Sequence, residues 1–592
     1  MAPAPYTYTP ALTLEECDRI LTAPGAMFET ERVVVHGQVL RVFKHLPRSL
    51  RAFWLDCVRL YGPKDYIVFE NQLLTYDEVH SRAAVLACVF RQKYGVRKGD
   101  RVAIAMRNCS EYIIAFWACQ LLGAVSSHVN AWLPWKPFVH CLTAIEPKVV
   151  VLDSERAKLL SPHLGILSGG PRVLVARADG GVTLPRPFTI PAGMGSVDKD
   201  IQSYKGPADE WRKEPEAHPD DNATIFFTSG TTGLPKGVLS TQRSFMHGFF
   251  GSLYSRERML LRRGEALWGR GDPNNKKTFL IGVPLFHMGY TYQGWRIGLV
   301  RKWDKHAVAD FMLREGITGF GGVPSQVLDL MDTALQGREH IEQMPWGGAP
   351  SPAGIISSTG KAFPRSVVGQ GYGMTELNAA VVSFAVDDYL ARPKSAGLPG
   401  PVNEILIMNT DTGKECPAGT VGEIWVRGAN VMREYWRDPQ ETNKVLTRDG
   451  WLRTGDLAYV DDEGFLYIVD RAKDMIIRGG ENIHSVMVED AIYADDRVME
   501  VAAVGVPDKR LGELVAVVVV PKEKFLGDVT EESVIRIARD QLPGFAVPVM
   551  ALIERTPLER NAGGKILKKD LKKRVVAGWL RRQQALPVKA KL

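Results

Sequence analysis

The sequence predicts an α/β fold with a largely parallel sheet, in a chain of several domains. Three features predict it. First, 592 residues exceed what one core organises, so roughly two to four domains are expected. Second, from Leu74 to Ala176, helical stretches with regularly spaced apolar residues alternate with short β-branched runs. Helices layered on a parallel sheet read this way. Third, from Gly422 the texture shifts to short strands and turns, and a final block follows with apolar strands and helices enough for its own core.

The first fifty residues read as an irregular, proline-punctuated extension. The stretch LLTYDEVHSRAAVLACVFRQKYGVRKGDRVAIAMRN then supplies a helix, a Gly-Asp turn and the strand RVAIAM. A helix from Ser110 to Leu122 is expected to stop at Gly123, where glycine suits a C-terminal cap. KVVVLD and RVLVA are further strands, and 168–172 and 177–222 are loop-rich. The aromatic segment SFMHGFFGSLYS (244–255) is expected to wall a pocket, and the charged run 256–278 to be a surface excursion. The tetrapeptide RAKD (471–474) lies between two cores, as a hinge would. The boundaries that follow are an extension 1–50, a large domain 51–470, a hinge 471–473, a small domain 474–589 and a tail 590–592.

Composition narrows the function. A net charge of +7 is a small excess of 74 basic over 67 acidic residues. That suits anionic small molecules and is not a nucleic-acid footprint. The seven cysteines, Cys17, Cys57, Cys88, Cys109, Cys119, Cys141 and Cys416, are scattered and make no C-x-x-C pair, so they read as core residues in a reducing compartment. The N-terminus lacks a basic region followed by an apolar run, and no run reaches membrane-spanning length, so a soluble protein is expected.

The most informative stretch is TSGTTGLPKG, Thr228 to Gly237, which follows the apolar run TIFF. Glycines let backbone N–H groups approach a ligand, hydroxyls donate hydrogen bonds, and Lys236 carries positive charge, which together suit phosphate. It is not a G-x-x-x-x-G-K-[ST] loop, because Lys236 sits between Pro235 and Gly237.

This segment resembles the signature of the AMP-forming adenylating enzymes: acyl-CoA synthetases, peptide-synthetase adenylation domains and luciferases. The resemblance runs from about Leu74 to Leu571 through IGVPLFHMG (281–289), GGAP (347–350), GQGYGMTEL (369–377), GWLRTGDLAYVDDEGFLYIVDRAKDMIIRGGENI (450–483) and LERNAGGKILKKDL (558–571), all in family order. It implies a large N-terminal domain that includes a small β-barrel-like subdomain, and a small mobile α+β domain that swings about Lys473. It also implies ATP, Mg²⁺ and coenzyme A.

The residue roles it implies are these. Thr228, Ser229, Gly230, Thr231, Thr232, Gly233 and Lys236 hold the β- and γ-phosphates. Gly348, Ala349 and Pro350, with Gly371, Tyr372, Gly373 and Met374, line the adenine site, where Tyr372 stacks. Thr375 donates to the α-phosphate, and Glu376 binds Mg²⁺. Asp456 accepts from the ribose hydroxyls, near Ile468 and Arg471. Lys565 bridges the carboxylate and the α-phosphate. The acyl pocket is expected from Met246, His247, His287, Met288, Gly289, Ser325, Gly347, Gly348, Gly373 and Asn378. The thiol path is expected beside Arg478, Gly479, Gly480, Glu481 and Asn482.

The implied reaction is attack of a carboxylate on the α-phosphorus of ATP, then transfer of the acyl group to a thiol. Since two anions must meet, charge neutralisation and positioning dominate the catalysis. The substrate is expected to be a fatty or aryl acid. Transfer to a carrier protein, luciferase-type oxidation and a non-catalytic acyl- or nucleotide-binding protein are the alternatives.

Ser485 and Met487 stand where the family has proline and glutamate, Gln242 replaces a frequent histidine, and a lysine often found near Ala546 is missing. The tail Ala590-Lys591-Leu592 resembles the peroxisomal S-K-L, implying an import receptor as partner and a peroxisomal location, otherwise a cytoplasmic one.

Overall fold

A computed structural model describes residues 8–167, 169–178, 188–228, 234–269, 271, 276–282, 289–349, 351, 354–471, 473–479, 481–560 and 566–585. Ser229–Gly233, His287, Met288, Pro350, Gly480, Lys565 and Ala590–Leu592 therefore lie outside the described residues, as do the side chains of Gly289 and Asn482.

Two large sheets carry the first 400 residues. In the first, the strands run in the order Glu434–Tyr435, Lys236–Thr241, Asn222–Thr228, Val125–His128, Arg101–Ala105, Val149–Leu152, Arg172–Val175, Met194–Ser196. From Asn222–Thr228 onward all pair in parallel. In the second, Gln343–Gly347, Gly319–Gly321, Thr278–Ile281, Arg296–Leu299 and Asp65–Phe69 form a parallel centre beside Val367–Met374. Parallel strands buried on both faces read as unbroken β-branched runs, and Val149–Leu152 is buried along its whole length. The helix Ser110–Leu122 stops at Gly123, whose φ of +67° is the left-handed cap expected.

Four strands between residues 403 and 471, Asn403–Met408, Gly422–Gly428, Leu452–Val460 and Leu466–Arg471, form a separate antiparallel sheet. The small domain builds on Val498–Asp508 and Gly512–Pro521, flanked by Ile476–Arg478, Glu481–Ile483 and Met550–Ile553. All seven cysteines are free and buried, as core residues would be.

Two expectations fail. Residues 8–50 are not irregular throughout. Thr13 and Glu16 form a reciprocal capping box on the helix Leu14–Leu21. Thr30–Val35 and Gln38–Phe43 make a hairpin whose two turn residues, His36 and Gly37, both have positive φ. The charged run 256–278 is not a surface excursion throughout, because the helix Gln242–Arg262 continues to Arg262, and Glu257, Arg258 and Arg262 are buried. Their charges are satisfied internally: Glu257 accepts the Trp268 N–H at 2.9 Å, Arg258 donates to the Pro399 carbonyl at 3.2 Å, and Arg262 pairs with Asp388 at 2.6 Å.

That helix also lies against the strand Ala379–Ala385. A Cβ added at Gly248 would come within 2.6 Å of the Asn378 backbone oxygen. The contact is to backbone, which yields little, so Gly248→Ala is expected to destabilise the protein by about 1–3 kcal/mol. A lowered urea midpoint with unchanged slope is the measurement.

Candidate active site

Of the nucleotide residues named from sequence, Tyr372, Asp456 and Arg471 meet where the strand Val367–Met374 comes beside the four-stranded sheet. Gly373 is required there: a Cβ would lie 2.0 Å from the Ala379 oxygen, so the strand could not fold back onto Ala379–Ala385. The register shifts between Tyr372 and Gly373. The Tyr372 hydroxyl donates to Asp456 Oδ2 at 2.8 Å.

Asp456 sits opposite Arg471 in the antiparallel register, and Arg471 Nε lies 2.9 Å from Asp456 Oδ1. The Asp456 N–H donates to Thr454 Oγ1 at 3.1 Å, and Gly455 takes a φ of +72°. Asp456 is thus a buried carboxylate gripped on each oxygen by a different donor. Each oxygen keeps a second acceptor position, which is what a ribose diol needs. Ile468 lies on the same hairpin, paired with Ala458.

Thr375 opens the short helix Thr375–Leu377, and Glu376 follows it into the interior. Glu376 Oε1 accepts the Tyr435 hydroxyl at 2.8 Å. Burial raises the Glu376 carboxyl above its ordinary range, with the Tyr435 hydrogen bond opposing. Among the described residues no group of three His, Cys, Asp or Glu side chains is placed to hold a metal. A single carboxylate beside a phosphate site is the donor set Mg²⁺ uses when phosphates and water supply its remaining ligands, so Glu376 fits that ion.

Asn378 takes a left-handed φ of +59° and donates to the Asn430 carbonyl at 2.8 Å. Asn430 donates back to the Leu377 carbonyl at 3.1 Å, so Thr375–Asn378 is held in place from behind.

The phosphate loop is described only at its flanks. Thr228 ends its strand paired with Lys236. The Lys236 ammonium is ion-paired with Glu441 and lies 5.1 Å from the centre of the Tyr435 ring. Lys236 and then Lys444 draw the Glu441 carboxyl down to about 2. Lys236 thus stands at the end of the loop with Glu441 as its counter-ion. Gly347 and Gly348 end the neighbouring strand Gln343–Gly347, with φ of +77° at Gly348, and Ala349 follows. Ser325 is half-buried on the helix Pro324–Met331.

Met246 and His247 stand on the helix Gln242–Arg262. Both are buried in the core, and His247 Nε2 accepts the Phe43 N–H at 3.1 Å while Nδ1–H donates to the Arg243 carbonyl at 2.9 Å. Burial takes the imidazole down to about 4, so it stays neutral. The hairpin that occupies this face is the one unread in the sequence. Gln242 is likewise structural: its Oε1 accepts the Leu50 N–H at 2.8 Å.

Arg478 pairs with Glu481 in the hairpin Ile476–Arg478/Glu481–Ile483, where Gly479 and Glu481 are exposed. Gly479 has a φ of +61°, and a Cβ there would lie 2.9 Å from Leu511 Cδ2. The turn itself therefore requires this glycine. Lys473 is exposed.

Sequence reasoning missed Tyr435, Glu441 and Asn430, which lie outside the motifs quoted above, and Thr454, which lies within GWLRTGD but was given no role. Only Asp438-Pro439, an N-cap and first helical position, hinted at the local structure around Glu441.

Comparison with known proteins identifies the family. The model of the AMP-binding enzyme family matches residues 56–436, and that of the AMP-binding enzyme C-terminal domain matches 487–565. A 2-succinylbenzoate–CoA ligase of Bacillus mycoides is 30% identical over 520 residues, covering 86% of this chain and 95% of that protein. A long-chain-fatty-acid–CoA ligase of Escherichia coli is 28% identical over 554 residues, covering 89% and 94%. The structure of Bacillus subtilis O-succinylbenzoate coenzyme A synthetase with ATP and magnesium superposes with a TM-score of 0.70 at 26% identity, covering 88% and 99%. The chain belongs to the AMP-binding enzyme family. It is an AMP-forming acid–thiol ligase that uses ATP, Mg²⁺ and coenzyme A.

The Glu376 environment makes a prediction. Because burial raises its folded-state pKa, the folded protein holds that proton more tightly than the unfolded chain. Wild-type stability is therefore lost as pH rises through the carboxylate range. Glu376→Gln removes this cost: without nucleotide or metal, its Tm relative to wild type should climb from about pH 4 to pH 7. Its adenylation rate should fall about a hundredfold. Thermal melts across pH and pyrophosphate release are the measurements.

Proposed function

We propose that the acid activated by this ligase has an apolar body, fatty or aryl, and that the convergent residues divide the work as follows. Tyr372 packs against adenine while Asp456, held by Tyr372 and Arg471, accepts from the ribose. Thr375 donates to the α-phosphate, and Thr228 and the Lys236-anchored loop meet the outer phosphates. Glu376 would hold Mg²⁺, which neutralises phosphate oxygens. Lys565 approaches on the small domain and bridges the two reacting anions.

In the first step the carboxylate oxygen attacks the α-phosphorus and pyrophosphate leaves. In the second the coenzyme A thiol sulfur attacks the acyl carbonyl and AMP leaves, with the Arg478–Asn482 hairpin turned toward the site by rotation about Lys473. The carrying observation is the placement of Tyr372, Asp456 and Arg471 on one short hydrogen-bonded chain beside Glu376. The apolar acid is supported by the relatives named above. Peroxisomal delivery through Ala590, Lys591 and Leu592 belongs to the same proposal, and a fluorescent fusion with and without those residues tests it.

Pyrophosphate release over a panel of short aliphatic, long aliphatic, aryl and dicarboxylic acids tests the substrate class. Turnover should be highest for an apolar-bodied acid, and preference for a short polar acid would overturn the assignment. Lys565→Ala should lower adenylation by about a hundredfold or more while leaving thioester formation from supplied acyl-adenylate within about threefold of wild type. Equal loss in both half-reactions would refute rotation about Lys473.

A further inference from the structure

Ser485 stands where the family has proline, and the structure gives that serine a task. It opens the helix Ser485–Tyr493 on the small domain and is wholly buried. Its N–H donates to Asp470 Oδ2 at 2.5 Å, and its hydroxyl lies 3.0 and 3.1 Å from the two Asp470 oxygens. A proline there would have neither donor. Lys568, the first residue of the helix Lys568–Ala585, donates to Ser485 Oγ at 2.7 Å and pairs with Glu489 at 2.6 Å. Lys568 follows Lys565 by three positions in sequence.

Asp470 belongs to the other side of the hinge, on the strand Leu466–Arg471 of the large domain. Successive side chains of a strand face opposite ways. Arg471 accordingly addresses Asp456 in the nucleotide site while Asp470 addresses Ser485 on the small domain. The hairpin bearing Gly479 and Glu481 faces solvent, whereas Arg560, which precedes the Lys565 segment, lies within electrostatic reach of Asp329 on the large domain.

We propose that Asp470, Ser485 and Lys568 form a clasp across the hinge that holds the small domain in the adenylating orientation and must open before thiol transfer. They are positioning residues, acting through the placement of the helix that follows Lys565. The proposal rests on the two-orientation reading above.

The test separates the half-reactions in the full-length enzyme. Ser485→Ala keeps the N–H bond and loses the hydroxyl, Ser485→Pro loses both, and Ser485→Thr keeps both. Adenylation, followed by pyrophosphate release with the best acid of the panel, should fall about tenfold in Ser485→Ala and further in Ser485→Pro, and return to near wild type in Ser485→Thr. Thioester formation from supplied acyl-adenylate should be unchanged or faster in all three. Fluorophores on the two domains should report a smaller population of the clasped orientation in Ser485→Ala without substrates. Lys568→Met should show the same split, giving a second route if Ser485→Pro folds poorly. Parallel loss in both half-reactions, or no change in either, overturns the clasp. Lys565→Ala is the control: if it splits the half-reactions and Ser485→Ala does not, only the clasp fails, and if neither splits them, the two-orientation reading fails too.

Discussion

The arrangement turns on one antiparallel register, the pairing of Leu452–Val460 with Leu466–Arg471 that sets Asp456 opposite Arg471. The carboxylate it places is buried, and a buried carboxylate needs a partner on each oxygen. Arg471 supplies one and the Tyr372 hydroxyl the other, and Tyr372 arrives on a strand from a different sheet. Shifting that register by one residue would turn Asp456 to the opposite face and leave Arg471 without its carboxylate. The facing of Asp470, opposite to that of Arg471, follows from it as well.

The second organising element is the ladder of polar contacts running from Glu376 to the phosphate loop. Tyr435 donates to Glu376 and lies under the Lys236 ammonium, while its own strand pairs with Lys236–Thr241. Glu441 then neutralises Lys236. Without ATP, an uncompensated lysine beside other positive groups would be costly, and an uncompensated buried glutamate more so. The network pairs the Lys236 charge with Glu441 and gives Glu376 one hydrogen bond from Tyr435, leaving Glu376 a group whose charge a divalent cation can offset. Preorganisation of this kind lowers the reorganisation required when substrate arrives.

The N-terminal segment changes the character of the helix Gln242–Arg262. Phe28 packs edge-on against Tyr254 at 5.4 Å between ring centres, Phe43 stacks on His247 at 5.7 Å, and Tyr254 donates to Asp18 at 2.5 Å. A helix that would otherwise offer one face to solvent is covered on that side, which explains why its charged end can be buried and why His247 stays neutral. Its opposite side meets Ala379–Ala385 through the notch at Gly248. Rigid packing on both faces fixes the backbone of Asn378, and with it the turn that carries Thr375 and Glu376.

Short-range order was legible in the sequence because its causes are local. The strand at Arg101–Ala105, the helix Ser110–Leu122 and its glycine stop follow from periodicity and capping, which need only neighbours a few residues away. Tyr372, Asp456, Arg471 and Glu376 could be named because their motifs hold residue types whose chemistry suits ATP. What the chain alone did not disclose was every decision made between distant segments. The Thr13–Glu16 capping box and the His36-Gly37 turn are local signals that went unread, but that their hairpin would cover His247 depends on packing across some two hundred positions. Whether Lys236 faces phosphate or Glu441, and whether Ser485 is a mere departure from proline or a bond across the hinge, also depends on partners remote in sequence. Residue type and spacing determined the chemistry available to this protein. Tertiary structure decided which groups meet, because burial and pairing of charge are properties of a folded neighbourhood.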